Sequence, residues 1–455
     1  MSKYFGTDGF RAHAGKGLTS VHAFKIGRFL GWYLSKNGNK ARIVIGKDTR
    51  RSSYMLEYAI SAGIATSGAS AYMLHVTTTP CVSYVTSTDP FDMGIMISAS
   101  HNPYYDNGIK ILNSRGEKID DEIIEKIEAY LDKDYEKAGT RGEIPMATDN
   151  EIGEIIDYTE GRNRYIGYLI STSRRSFKGL KIALDTSNGG GWMIARSVFS
   201  SLGAKVISIN SCPDGTNINK ECGSTCPQSL IKCVLENECD MGFAYDGDAD
   251  RCIAVDHTGK IVNGDYLIYI LANELKTQGE LLKDTVVTTV MSNLGLYKAL
   301  DEIGVGYEKT KVGDRYVYEC MQKNGFSLGG EQSGHIILSK YATTGDGILT
   351  SIKITEAVIE SKSTLYELSK AVNMMPQVLK SIPVKSKWQI INSRALNEKI
   401  SAIENELGKN GRVLVRASGT EELIRIMIEA ENEGLCEKIA DEVAEIVRNE
   451  DLKGE

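Results

Sequence analysis

Asp92-Met93-Gly94-Ile95-Met96-Ile97 leads into Ser98-Ala99-Ser100-His101, and Asp240-Met241-Gly242-Phe243-Ala244-Tyr245 leads into Asp246-Gly247-Asp248-Ala249. Both stretches read Asp-Met-Gly, then apolar residues, then a polar loop. A third, Phe326-Ser327-Leu328-Gly329, leads into Gly330-Glu331-Gln332-Ser333. Upstream of each stands another apolar run, at residues 41–46 (ARIVIG), 180–185 (LKIALD) and 284–290 (DTVVTTV). Each of these ends in small polar residues and is followed by helix-like sequence. Strands alternating with helical stretches argue for α/β domains with parallel sheets. The chain therefore reads as three copies of one layout, each delivering a polar loop at a strand C-terminus, where open α/β sheets bind ligands.

The tail departs from this pattern. From about Pro376 it reads strand, helix, strand, loop, strand, helix, with apolar Ile439, Val443, Ile446 and Val447 at helical spacing in the last helix. The expected organisation is three similar α/β domains at 1–158, 159–256 and 257–375, then a smaller α+β domain at 376–455. The polar stretch 137–150 and the charged Glu160-Gly161-Arg162 read as linker between the first two.

Composition narrows the function classes. The chain has 455 residues with a formal charge of −7 and no basic face or tail, which argues against nucleic acid as a partner. Met1-Ser2-Lys3-Tyr4 runs straight into Gly6-Thr7-Asp8-Gly9 without an apolar leader, and no stretch is long and apolar enough to span a membrane. With nine cysteines, an odd number, the chain reads as cytoplasmic with reduced thiols and no membrane partner. Cys212, Cys222, Cys226, Cys233 and Cys239 cluster, but without a C-x-x-C pair or a nearby His they read as free thiols rather than a zinc site. Glycine, at 45 residues against 8 prolines, exceeds its usual share. That excess asks for tight turns or for backbone lying close to a ligand.

The loops carry the chemistry. Asp246, Asp248 and Asp250 stand at i, i+2 and i+4, and in a tight loop three carboxylates converge on one hard cation. An EF-hand would need Gly at Arg251 and Glu at His257, so that alternative fails. Ser100 stands beside His101, with Lys110 shortly after the Asn107-Gly108 turn. The single G-x-S-x-G match, residues 325–329, lacks the strand-turn-helix context of a hydrolase elbow. Arg416-Ala417-Ser418-Gly419-Thr420 offers a guanidinium, hydroxyls and flexible amides suited to a phosphate. A hydroxyl nucleophile, a cation site and an anion cradle are the parts phosphoryl transfer requires. No P-loop or G-x-G-x-x-G is present, so neither ATP nor a dinucleotide is required.

These four loops, in this order, resemble those of the α-D-phosphohexomutases over the whole chain. The phosphoserine loop looks like 98–103 with Ser100 as nucleophile, the metal loop like 246–251, the sugar loop like 330–335, and the phosphate loop like 416–420. Residues 5–9 (FGTDG), Asn217-Ile218-Asn219 with Cys222-Gly223-Ser224-Thr225, Val312-Gly313-Asp314-Arg315-Tyr316, Pro376-Gln377-Val378-Leu379 and Gln332 are similar to the glucosamine branch of the family.

The resemblance implies four domains around a central cleft, the first three with mixed-sheet α/β topology. It implies conversion of glucosamine 6-phosphate to glucosamine 1-phosphate, with glucosamine 1,6-bisphosphate as activating intermediate. It implies Mg²⁺ held by Ser100, Asp246, Asp248 and Asp250, and proton-transfer candidates His101, Lys110 and Arg11, with Arg251 supporting the phosphoserine. Glu331, Ser333 and Arg315 are implied to bind the sugar phosphate, as are Arg416, Ser418, Gly419, Thr420 and Arg425, and a homodimer is implied. Two positions depart from the family pattern. Ala12 stands where the first motif usually has Gly, and Glu422 stands where the phosphate loop commonly has Pro. The competing readings are a mutase acting on mannose or glucose phosphates, a metal-dependent sugar-phosphate phosphatase, and a non-catalytic sugar-phosphate sensor.

Overall fold

The computed structural model describes residues 3–35, 38–418 and 422–453. These form two compact units, one of residues 1–291 and 305–370, the other of residues 292–304 and 371–455.

The first unit holds three sheets. The first contains β1 (Phe5–Gly6), β2 (Gly9–His13), β3 (Arg42–Lys47), β4 (Ser70–Val76), β5 (Met93–Ile97), β6 (Asp106–Asn113) and β7 (Ile155–Asp157) in the order β1-β2-β6-β5-β3-β4-β7. The second contains β8 (Lys181–Asp185), β9 (Lys205–Ile209), β10 (Met241–Tyr245), β11 (Cys252–Asp256) and β12 (Ile261–Val262) in the order β12-β11-β10-β8-β9. The third contains β13 (Thr285–Thr289), β14 (Gly306–Thr310), β15 (Leu328–Gly330) and β16 (Ile336–Leu338) in the order β14-β13-β15-β16. One motif recurs in all three. An opening strand pairs in parallel with the next strand on one side and with the loop-bearing strand on the other, and the loop-bearing strand then pairs antiparallel with its successor.

That last pairing corrects the parallel sheets argued from the strand–helix alternation and agrees with the mixed sheets that the resemblance implied. Only the polar loops separate β5 from β6, β10 from β11 and β15 from β16. A parallel return needs a crossover of about a dozen residues or more, so these short connections impose hairpins and the sheets are mixed.

The repeated Asp-Met-Gly has a physical basis. Asp92 accepts the N–H of Arg42, first residue of β3, at 2.8 Å, and Asp240 accepts the N–H of Lys181, first residue of β8, at 2.7 Å. The carboxylate thus fixes where the neighbouring strand begins. The glycine makes room for the helix covering the sheet. A Cβ at Gly94 would meet Val82 and Thr86 of helix Thr79–Thr88, and one at Gly242 would meet Leu230 and Val234 of helix Gln228–Glu236. Gly329 is placed the same way against Val317 and Met321 of helix Asp314–Asn324. A further part of the glycine excess lies between helices Ser20–Leu34 and Arg51–Thr66, where a Cβ at Gly27 would strike the Ile60 carbonyl and one at Gly63 the Phe24 carbonyl.

The two stretches expected as linker, between the first two domains, are ordered. Glu160-Gly161-Arg162 lies in the opening turns of helix Thr159–Thr172, where Glu160 suits the positive end of the helix dipole and Arg162 donates to the Val76 carbonyl at 3.3 Å. Residues 137–150 lie against the first sheet's helices, with Ile144 buried in that core and its carbonyl accepting from Arg28. Of the clustered cysteines, Cys222, Cys233 and Cys239 are buried, Cys226 is partly buried and Cys212 is exposed. No helix among the described residues is long and apolar enough to cross a membrane.

The second unit contains an antiparallel sheet, β17 (Gln377–Pro383), β19 (Leu423–Glu429) and β18 (Arg412–Ala417), in that order. Its core includes Ile439, Val443 and Val447 of the last helix, with Ile446 packed partly buried against it. Helix Leu294–Glu302 packs here too, the Leu294 N–H donating to Glu429 at 3.0 Å.

Candidate active site

The β5–β6 loop places Ser100 in a left-handed backbone conformation (φ 52°), fully buried. Its N–H donates to Ser98 Oγ at 2.9 Å, and Ser98 Oγ donates to Asp48 Oδ2 at 2.7 Å. Arg50 closes this clasp. Its Nε donates to Asp48 Oδ2 at 2.7 Å, its Nη2 to the Ser100 carbonyl at 2.9 Å, and its Nη1 to the carbonyls of Pro103 and, at 3.2 Å, Asp106. Both side chains are wholly buried, and a buried charge pair satisfied by this many hydrogen bonds fixes its surroundings. Sequence reasoning assigned neither residue. The signal was Asp48-Thr49-Arg50, polar residues at the end of an apolar strand, the same placement that marked the other loops.

Across from Ser100 stands the β10–β11 loop, where Ser100 Oγ donates to Asp246 Oδ2. One carboxylate oxygen from each of Asp246, Asp248 and Asp250 lies within 4.8 Å of the others, and all three residues are buried. Lys110 Nζ, from β6, donates to Asp248 at 2.7 Å and Asp250 at 3.1 Å, and Thr79 Oγ1 also donates to Asp248. The buried Asp248 Oδ1 and Asp250 Oδ1 accept no hydrogen bond among the described residues. Orphaned carboxylate oxygens converging in a buried pocket, with one ammonium against three carboxylates, fit a hard divalent cation.

The electrostatics follow from this crowding. Burial, then Asp250 and Asp248, push Asp246 well above the usual carboxylate range. Burial opposes ionisation of Asp248 as well, but the Lys110 charge and the hydrogen bonds from Lys110 and Thr79 outweigh it and hold that carboxylate below its ordinary value. His101 Nδ1 lies 3.4 Å from Ser100 Oγ. Burial, with Arg251 and Arg11 nearby, lowers its imidazole to about 4, so it is neutral near pH 7 and able to accept a proton.

Asp8 organises the remaining cations. It pairs with Arg11, with Lys110 at 3.2 Å and with Lys118 at 2.8 Å. Burial opposes its ionisation, yet Lys110, Lys118 and Arg11 together hold it well below the usual range. Lys118 also reaches Asp314 at 2.7 Å, which ties the first sheet's domain to the third. Arg251 lies beside Asp250, Nε to Oδ1 3.9 Å, and its backbone bridges to His335 in the sugar loop.

The structure thus brings Ser100, His101, Lys110, Arg11, Arg251 and the three aspartates together. Glu331 is buried and accepts the Gly313 N–H at 3.1 Å, and its charge acts on Arg251. Ser333 is exposed at the loop tip. Arg315 is drawn elsewhere, bidentate on Asp121 at 2.6 and 3.0 Å and bonded to Glu319 at 2.8 Å.

Within the second unit Arg416 and Arg425 are direct cross-strand partners. Burial and then Arg425 lower the Arg416 guanidinium below its ordinary value. Like charges facing across a sheet are destabilising unless an anion joins them. Ser418 is buried at the end of β18, and Gly419 and Thr420 lie outside the described residues.

A repeated mixed-sheet α/β domain bearing a serine loop, an aspartate loop and a glutamate loop, together with a small C-terminal domain, defines a phosphohexomutase. The chain belongs to the phosphoglucomutase/phosphomannomutase family. Models of its alpha/beta/alpha domains I, II and III match residues 2–138, 163–259 and 263–375, and that of its C-terminal domain matches 375–446. The chain is 56% identical over 451 residues to the phosphoglucosamine mutase of Lachnospira eligens, covering 99% of each chain. Its fold is similar to that of a phosphoglucomutase/phosphomannomutase family protein from Burkholderia thailandensis (TM-score 0.81, 21% identity, 99% and 98% of the two chains covered). It is also similar to N-acetylphosphoglucosamine mutase from Aspergillus fumigatus, solved with GlcNAc-6P and magnesium (TM-score 0.72, 17% identity, 99% and 96% covered).

Proposed function

We propose that this chain interconverts glucosamine 6-phosphate and glucosamine 1-phosphate through a phosphoserine at Ser100 and bound glucosamine 1,6-bisphosphate. One observation carries the reading: the buried Ser100 hydroxyl is bonded to a carboxylate of the aspartate cluster and lies next to a neutral imidazole. The name of the Lachnospira relative supports glucosamine as the sugar.

Asp246, Asp248 and Asp250, with the phosphorylated Ser100, would hold Mg²⁺. When bound, the ion supplies Lewis-acid stabilisation of the transferring phosphoryl group. The chain's own residues do the rest. The Asp48–Arg50 clasp fixes the Ser100 backbone, so the nucleophile is oriented before substrate arrives. His101 is the candidate to take the proton of the attacking hydroxyl, whereas Lys110, kept protonated by Asp248, Asp250 and Asp8, and the Arg11 guanidinium can act only as donors. Arg251 and Lys110 offset charge on the transferring group. Glu331 and Ser333 hold sugar hydroxyls, while Arg416, Ser418, Gly419, Thr420 and Arg425 grip the non-reacting phosphate. Arg315 joins them only if Asp121 and Glu319 release it. Domain limits at 158 and 375, a homodimer and a cytoplasmic location complete the proposal, while the expected limit at 256 moves past β12, which pairs with β11 in the second sheet.

The test incubates purified protein with glucosamine, glucose or mannose phosphate, Mg²⁺ and a trace of the matching bisphosphate, followed by ³¹P NMR. Isomerisation fastest with glucosamine phosphate is expected, along with one added phosphate in the intact mass, mapped to Ser100 and lost in Ser100→Ala. Release of inorganic phosphate instead would identify a phosphatase. No turnover after deliberate phosphorylation of Ser100 would sink the mutase.

A further inference from the structure

Asn217-Ile218-Asn219 has no part in the chemistry above, yet Asn219 reaches into the nucleophile loop. It lies between β9 and helix Gln228–Glu236, in the second sheet's domain. Its Nδ2 donates to the Ser100 carbonyl at 2.8 Å and to the Asn102 carbonyl at 3.1 Å. Both partners can only accept, which fixes the amide's orientation. The Ser100 carbonyl therefore receives two donors, Arg50 from its own domain and Asn219 from the next. The metal loop passes close by at Gly247, where an added Cβ would lie 3.1 Å from Asn219 Nδ2 and 2.5 Å from the Ser100 carbonyl. Independent anchors hold the Asn219 backbone. Its N–H donates to the Ser187 carbonyl at 2.9 Å, Ile218 is buried, and φ is 56°, a region Asn tolerates.

We propose that Asn219 is a positioning residue for phosphoryl transfer, holding the left-handed turn at Ser100 so that Oγ faces Asp246. The inference rests on Ser100 as the phosphoryl carrier and deepens that reading. The residue type suits the role. A short neutral amide gives two donors without placing a cation in competition for the carboxylates. A carboxylate of the same shape would set an anion against two carbonyl oxygens.

Two full-length variants test it, each phosphorylated on Ser100 and assayed with Mg²⁺ and bisphosphate. Asn219→Gly keeps the backbone conformation and removes both donors, and Asn219→Asp keeps the shape and reverses the polarity. We expect kcat to fall on the order of 10–100-fold, more in Asn219→Asp, as for a small misplacement of a reacting group. KM should stay within about threefold, because no substrate contact is removed. Hydrogen exchange in residues 98–107 should quicken in both variants while the melting temperature of Asn219→Gly stays near wild type. Wild-type kcat in Asn219→Gly, or a loss confined to KM, overturns the proposal. So does unchanged exchange at 98–107, which is measured on unphosphorylated protein and needs no turnover. A wild-type protein without mutase activity would instead defeat the functional reading and leave the exchange result to decide what Asn219 holds.

Discussion

Gly94→Ala tests whether the repeated Asp-Met-Gly is a packing device. Gly94 sits in β5, opposite Val44 of β3 on one side and Leu112 of β6 on the other, so ladders on both sides prevent the strand from shifting. An added methyl would overlap Thr86 Oγ1 and lie 3.1 Å from Val82 Cγ1 and 3.3 Å from Thr86 Cβ. Both neighbours are fully buried and β-branched, which confines Val82 to one strongly preferred rotamer in its helix and Thr86 to two. Thr86 Oγ1 is further held by its bond to the Val82 carbonyl at 2.6 Å. Overpacking of this kind costs about 1–3 kcal/mol, against about 0.4–1 kcal/mol returned by stiffening the unfolded chain. The balance is a loss of about 1–2 kcal/mol, or roughly 3–6 °C in melting temperature at the scale of a domain of roughly 200 residues. Gly329→Ala supplies a partial contrast, because its nearest neighbour, Met321, whose Sδ would lie 2.5 Å away, is unbranched and adaptable, although β-branched Val317 would lie 2.8 Å away. Gly242→Ala, facing Leu230 and Val234 at 2.7 Å each, should fall between. Circular-dichroism melts of the three variants should rank Gly94 worst and Gly329 mildest. A Gly94→Ala protein as stable as wild type, or a reversed ranking, would refute this account of the repeat.

Asp250→Asn should weaken Mg²⁺ binding at least about tenfold, read by calorimetry on the unphosphorylated protein, since it removes one charge from the cluster; equal affinity would remove Asp250 from the ligand set. In the metal-free, unphosphorylated protein the His101 imidazole should titrate near pH 4 by NMR. The depressed value means that protonation is taken up by the unfolded chain first, so His101 costs folded-state stability as pH falls from about 6.5. A midpoint above 6 would remove the argument that it is neutral. Asp346 is wholly buried and raised to about 6, chiefly by burial. Its contribution to stability is therefore full below the ordinary carboxylate value of 3.8 and lost as pH rises through 6, and Asp346→Asn should flatten that slope in urea melts at pH 4.5 and 7.5. A slope unchanged in the variant would assign it to other groups. Arg416→Ala should raise KM for the sugar phosphate about 10–100-fold, the equivalent of one charge-assisted hydrogen bond or slightly more, with kcat reduced less. An unchanged KM would take Arg416 out of phosphate binding.

The loops were legible because each is a polar run directly after an apolar one, and that contrast survives without any knowledge of pairing. Strand direction was not legible in the apolar runs themselves, because a buried strand is apolar on both faces whether its partner runs parallel or antiparallel, and only the resemblance pointed to mixed sheets. The short spacing between β5 and β6 held the answer, and the polar residues there drew the eye to chemistry instead. Glu160-Gly161-Arg162 was ambiguous for a related reason, since charge marks a linker and the first turn of a helix alike. The glycines were legible as an excess but were placed mainly in loops; Gly27, Gly63, Gly94 and Gly242 lie inside helices and strands, where only three-dimensional packing reveals the need. At the site, Ser100 and the aspartates could be read from residue type. Arg50 and Asn219 could not, because their value lies in which carbonyls they reach across long sequence separations.

Because the β5–β6 connection is a hairpin, the nucleophile loop is tethered at both ends to adjacent strands of one sheet and clasped by Arg50 through its carbonyls. Such a loop behaves as a fixed post rather than an arm. A serine on a swinging arm could follow first one end of a hexose and then the other; a serine on a post cannot. The two halves of a mutase cycle must then be served by moving the sugar, and the symmetry of the reaction resides in how alike its two ends look from Ser100.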